Sequence, residues 1–144
     1  MSKNANAGEL RTAIYFKRIE RATDQEGYPI EQEVNVFGED KYVLGKWVNA
    51  HGSETFTAMQ LELREPATLT VRYSPLINET LLVYKGSELS LALRAGDGIA
   101  NEAAAQKAVD EALERIRYEV ISIDNVEERD TWLEIKVQRK VAAR

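Results

Sequence analysis

Between Thr12 and Lys140 the apolar residues of this chain recur at every second position, in short runs separated by turn residues. That period restricts the chain to a fold built mainly from β-strands. In TAIYFKRIE (12–20), Ile14 and Phe16 fall on one face, and Ala13, Tyr15 and Ile19 on the other. DQEGYP (24–29) is a turn cluster, with Gly27 free to take positive φ and Pro29 interrupting the ladder. Val34, Val36, Tyr42, Leu44 and Val48 then predict two strands or one long bent strand over 32–50, with Gly38 and Gly45 as bulge or corner positions. ATLTVRYS (67–74) sets Leu69, Val71 and Tyr73 on one face, and TLLVYKG (80–86) is a strand ending at a glycine. ELSLAL (88–93) reads as a further short strand. YEVISID (118–124) and TWLEIKVQRK (131–140) form a closing hairpin around a turn at 125–130.

The period changes twice. SETFTAMQLEL, from Ser53, carries Phe56, Met59 and Leu63 at helical spacing, with Ser53 as N-cap and Pro66 as the stop. From Asn101 to Arg117 a longer helix is predicted. Asn101 caps it, Ala105, Val109, Ala112 or Leu113, and Ile116 form its stripe, and Glu111 with Arg115 is an i,i+4 pair. The fold class is therefore mainly β. It is a small β-barrel with a short helix between strands and a longer helical segment at a hairpin tip, closure being how so small a sheet avoids open edges.

At 144 residues the chain reads as a single domain, 1–144, with residues 1–8 as a loose leader. Hydrophobic residues make up 44% and charged residues 30%, enough for a core and for solubility. No apolar run is long enough to span a membrane, and MSKNANAGELR lacks the apolar stretch of a signal peptide, so a cytoplasmic origin is expected. The absence of cysteine excludes disulfides and thiol chemistry, and one histidine, His51, leaves no pair for zinc. No metal, cofactor or catalytic group is expected. Gly96-Asp97-Gly98 ahead of a helix lacks the Lys-Ser/Thr of a phosphate loop, and Glu127, Glu128 and Asp130 lack calcium-loop spacing.

Charge is uneven along the chain. Residues 1–23 and 129–144 each carry five basic and two acidic groups, whereas 24–65 carry three against nine and 66–128 six against eleven. A continuous basic face for tight nucleic-acid binding is absent. Basic ends around an acidic middle suit head-to-tail subunit contact, a chain whose terminal strands lie together, or plain solvated surface. Tyr15, Phe16, Lys17 and Arg18 read either as a single-strand stacking platform or as core and subunit contact.

In order, GELRTAIYFKRIE, DQEGYPIE, KWVNAHGSETFTAMQLE, ATLTVRYSP, LLVYKG and RYEVISIDNVEERDTWLEIKVQR resemble the head–tail joining family, the head-closure or stopper proteins of long-tailed bacteriophages and prophages. The resemblance covers most of 8–140. It places the barrel in 8–86 and 117–140, and makes the strand and helix of 87–116 an insertion at a hairpin tip, where the family's chain continues directly. It implies a non-enzymatic virion component at the head–tail interface, assembled in the bacterial cytoplasm. The component forms a homo-oligomeric ring, usually of twelve copies, that docks below the portal and its adaptor, closes the DNA channel after packaging and receives the tail. DNA passes through without sequence-specific binding. A loop between the second and third main strands projects as a plug in the family, and here that region is about 49–66. Asn49, His51, Ser53, Glu54, Glu62 and Glu65 are its candidate channel-facing residues. Arg11, Lys17, Arg18, Arg139, Lys140 and Arg144 are candidate subunit or adaptor contacts. A tail-side terminator and a single-strand-binding barrel are the alternatives.

Overall fold

The structure, a computed structural model, describes residues 7–49 and 64–140. The helix expected from Ser53 lies outside the described residues. Seven strands run in chain order: β1 (Thr12–Thr23), β2 (Pro29–Asn35), β3 (Val43–Asn49), β4 (Ala67–Arg72), β5 (Leu82–Lys85), β6 (Tyr118–Asn125) and β7 (Trp132–Arg139). Two helices, α1 (Gly86–Leu93) and α2 (Glu102–Ile116), lie between β5 and β6.

All pairings are antiparallel, in the order β2-β1-β3-β4-β7-β6-β5, and β5 returns to pair with β1. The six strands other than β2 thus form a closed barrel, with β2 as one outer strand. The long β1 makes this possible. Its residues 12–14 meet β3, 14–17 meet β5, and 17–23 run on to pair with β2. Lys17 lies opposite Asn35 and Ile14 opposite Val43, so a short stretch of β1 faces a longer stretch of partner, and the chain from Val36 to Tyr42 loops out between β2 and β3. Of the two readings of 32–50, two strands are present. Gly38, at φ +113°, turns that loop. Gly45 is not a bulge: it sits in continuous β3 pairing, and a Cβ there would lie 2.7 Å from Ile14 Cδ1 and 2.8 Å from Val71 Cγ1. Its value is close packing.

Inward residues alternate as the period requires. Ile14 and Phe16 of β1, Leu69 and Val71 of β4, Val83 of β5, and Ile135 and Val137 of β7 are fully buried together. Phe16 meets Phe37 edge-on, 6.1 Å between centroids. Between Val120 and Ser122 the register slips at a bulge, which lets both Val120 and Ile123 pack toward the core despite their odd spacing.

The segment 88–93 is helix, not strand. Leu89, Leu91 and Leu93 alternate, but Leu89 and Ala92, three apart, are the buried pair, while Leu91 and Leu93 are 69% and 57% exposed. Period two was an accident of two solvent-facing leucines; Glu, Leu and Ala favour the helix once one face has something to cover. That something is the barrel's outer face. Leu82 and Tyr84 of β5 point outward and are buried by Leu89, with Tyr15, Leu113 and Ile116 packed around them. Of the α2 stripe, Leu113 and Ile116 reach this cluster, and the rest of α2 packs chiefly on α1. Asn101 caps α2 as its sequence predicts, accepting from the Ala104 N–H at 3.0 Å. Glu111 reaches back to Lys107 at 4.0 Å. The acidic turn 125–130 is a structural turn: Asn125 donates to Asp130 Oδ1 at 2.6 Å and accepts from the Asp130 N–H at 3.1 Å.

Candidate functional site

Several elements converge where β7 ends. Arg139 is 14% exposed. Its Nη1 donates to Glu88 Oε1 at 3.0 Å and to the Ile116 carbonyl at 2.7 Å, and its Nη2 donates to Glu88 Oε2 at 2.7 Å. Nε lies 3.3 Å from Glu65 Oε2. The guanidinium also sits 4.2 Å from the Tyr118 ring centroid, and Tyr118 meets Trp47 edge-on at 5.0 Å. One cation thus joins the first turn of α1, the last turn of α2, β6 and the segment leading into β4. Burial opposes the Arg139 charge, but Glu88 and the neighbouring groups outweigh it and hold the guanidinium protonated beyond its usual range. Burial first, and then Glu88, push the Tyr118 phenol up to about 12.

A second cluster fastens the outer strand. Glu33 of β2 accepts from the Tyr84 hydroxyl and, at 3.0 Å, from Arg117 Nη1 at the end of α2. Arg117 Nε is buried without a hydrogen-bond partner among the described residues. Burial, followed by the Glu33 carboxylate, pushes the Tyr84 phenol far above its ordinary value. Both clusters join elements distant in sequence, and what they can do is hold: one holds the helices to the barrel, the other holds β2.

The two tyrosines give the fold an alkaline limit. In the unfolded chain both phenols ionise near pH 10, whereas in the folded chain they keep their protons beyond it. Above pH 10 the folded state therefore binds more protons than the unfolded one, and stability present below that pH falls as pH rises toward 12. Urea midpoints between these limits are expected to drop more steeply for the natural chain than for Tyr84→Phe/Tyr118→Phe; equal slopes would refute this.

The structure brings together Asn49, Glu65 and Arg139 of the sequence candidates, around a small cavity of about 160 Å³ shared with Lys85, Glu88 and Tyr118. Asn49 accepts from Trp47 Nε1 at 3.0 Å. Glu65 takes a positive φ of 42°. His51, Ser53, Glu54, Glu62 and Arg144 lie outside the described residues. Arg11 is exposed and donates to the Gly8 carbonyl at 2.7 Å. Arg18 pairs with Glu20, Lys17 Nζ stands 5.1 Å over the Tyr84 ring, and the Lys140 N–H donates to the Arg117 carbonyl at 2.9 Å. Glu33, Glu88, Tyr84, Arg117 and Tyr118 were not singled out from sequence. Their partners are dozens of residues away, and no local spacing announces such a pair. Among the described residues no group of three or more acidic or histidine side chains is placed to hold a metal.

Beyond the barrel, the second half of β1 and all of β2 form a hairpin arm. Ile19, Tyr28 and Ile30 are 43%, 66% and 40% exposed on it.

No protein-family model matches the sequence, and the curated proteins contain no match to it. Among solved structures the fold resembles the solution structure of protein SF1141 from Shigella flexneri 2a, with a TM-score of 0.54 and 17% identity over 96% of this chain and 100% of that one. A chain from the virion of a native gene transfer agent particle aligns with a TM-score of 0.47 and 12% identity, over 92% of this chain and 98% of that one. The likeness to the Shigella protein is one of fold: both chains, end to end, share this barrel architecture.

Proposed function

We propose that this chain is a structural component of a bacteriophage or prophage virion. In this reading it assembles as a ring at the head–tail interface, closes the DNA channel after packaging and joins the portal or its adaptor to the tail. The observation that carries the reading is the arm. A closed barrel has no need of a two-stranded extension that leaves Ile19, Tyr28 and Ile30 in water, whereas a subunit built to join neighbours has a use for it. The segments that resemble head-closure proteins supply the arm and the barrel strands in chain order.

Charge supports the same role. Residues 24–40 carry six carboxylates and no lysine or arginine. These carboxylates outnumber Lys17, Arg18 and Arg21 on the paired stretch of β1 and leave the arm net acidic, unsuited to gripping a phosphate backbone. The single-strand-binding alternative loses its platform, because Phe16 is fully buried inside the barrel and Lys17 covers Tyr84.

Electron microscopy of lysates from a producer strain with this gene disrupted tests the proposal. Emptied full-sized heads beside free, complete tails are the expected result. Full heads without tails would restrict the role to joining without sealing. Intact heads with overlong or unfinished tails would make the chain a tail component, and normal virions would refute a virion role.

A further inference from the structure

The outer strand β2 pairs with β1 alone among the described residues. The Val36 N–H donates to the Phe16 carbonyl at 3.0 Å, so in an antiparallel ladder the backbone groups of the even positions 30, 32 and 34 also face β1. The N–H and C=O groups of Glu31 and Glu33 and the N–H of Asn35 consequently point to the free edge, while the Asn35 carbonyl accepts from the Gly38 N–H at 3.3 Å and ends it. A groove of about 600 Å³ runs beside these residues, between β2 and α1. Tyr15, Val34, Leu89 and the exposed Leu93 supply its apolar part, and its charged lining is three carboxylates, Glu33, Glu39 and Asp40, against one cation, Lys17.

We propose that this edge and groove receive an extended, lysine- or arginine-bearing segment of another protein, which adds to β2 as a further strand. An edge strand beside an apolar groove is the geometry of strand addition, in which ladder bonds hold the backbone and alternate side chains enter the groove. Charge selects the occupant. The whole stretch 24–40 is acidic without a single basic residue, so two copies pairing β2 to β2 would set glutamates against glutamates. The same charges repel nucleic acid and attract a basic strand. Pro29 at the start of β2 and the glutamates along it keep the edge from pairing with itself while leaving it open to a cationic partner. The inference is independent of the virion assembly proposed above.

The test is an NMR titration of the ¹⁵N-labelled chain with a synthetic peptide of alternating lysine and valine, against one of alternating glutamate and valine. Saturable shifts at residues 30–35 and at Leu89 and Leu93 are expected with the lysine peptide, weakening as salt rises. The exposed pair Glu31→Lys/Glu39→Lys, which leaves the Glu33 cluster intact, is expected to weaken that binding roughly tenfold and to confer binding of the glutamate peptide. Circular dichroism confirms that this variant is folded. No shift at β2, equal shifts with both peptides, or concentration-dependent shifts at β2 without peptide (a second copy as occupant) would each overturn the proposal.

Discussion

Phe16→Ala is expected to cost about 3–5 kcal/mol of folding stability, the usual range for emptying a buried aromatic site. Phe16 is fully buried at the centre of the barrel, among residues from several strands, and meets Phe37 edge-on. The closed ladder holds those strands at fixed spacing, so the walls cannot collapse into the space that a lost ring leaves. The edge-to-face contact with Phe37 adds about 0.5–1.5 kcal/mol to area burial alone. For a domain of this size the loss corresponds to a melting temperature lower by roughly 10 °C or more. Thermal and urea unfolding followed by circular dichroism read the effect. Leu91→Ala is the control: at 69% exposed it is expected to change stability by no more than about 0.5 kcal/mol. A loss below about 1.5 kcal/mol at Phe16 would mean that the barrel interior relaxes, contrary to a closed ladder.

Arg139→Ala has the next largest expected effect, about 2–4 kcal/mol. The substitution leaves the Glu88 carboxylate, 28% exposed, without its bidentate partner, uncouples the Ile116 carbonyl and strips the cation from Tyr118. Breaking one side of a sheltered ion pair costs more than the pair itself contributes, because the remaining charge stays desolvated. Arg139→Met/Glu88→Leu is therefore expected to recover most of the loss, and a double-mutant cycle on urea midpoints measures the coupling. Hydrogen exchange should locate the damage: the amides of α1 and α2 lose protection before those of β4 and β7, because Arg139 ties the helices to the barrel. Additive effects in the cycle, or uniform loss of protection, would remove Arg139 from that role.

Legibility followed the range of the interaction. The strands around Ile14, Leu69, Val83 and Ile135 were readable because their inward residues alternate locally, and the Asn101 cap because its partner is three residues away. ELSLAL reads as a strand from sequence yet folds as a helix, because period two also describes a helix that turns one leucine inward and two outward. Gly45 reads as a bulge or corner position, and the approach of Ile14 and Val71 that also requires a glycine there comes from strands that only the closed sheet brings to it.

The candidate sites divide in the same way. Basic residues near the termini stand out in a charge count, and Arg139 was among them, but counting charge cannot say that Glu88, in a helix 51 positions earlier, occupies its guanidinium. Nor does spacing disclose that Glu33 meets both Tyr84 and Arg117. Alternation and turn chemistry are properties of neighbouring residues, so the chain carries its strands, its long helix and its mainly β class in the order of its letters. Closure of β5 onto β1, burial of Tyr84 beneath the helices and exposure of the β2 edge depend on segments that meet only after the sheet has curled around its core. Those meetings are set by the summed packing of the whole barrel and by no single stretch of the chain.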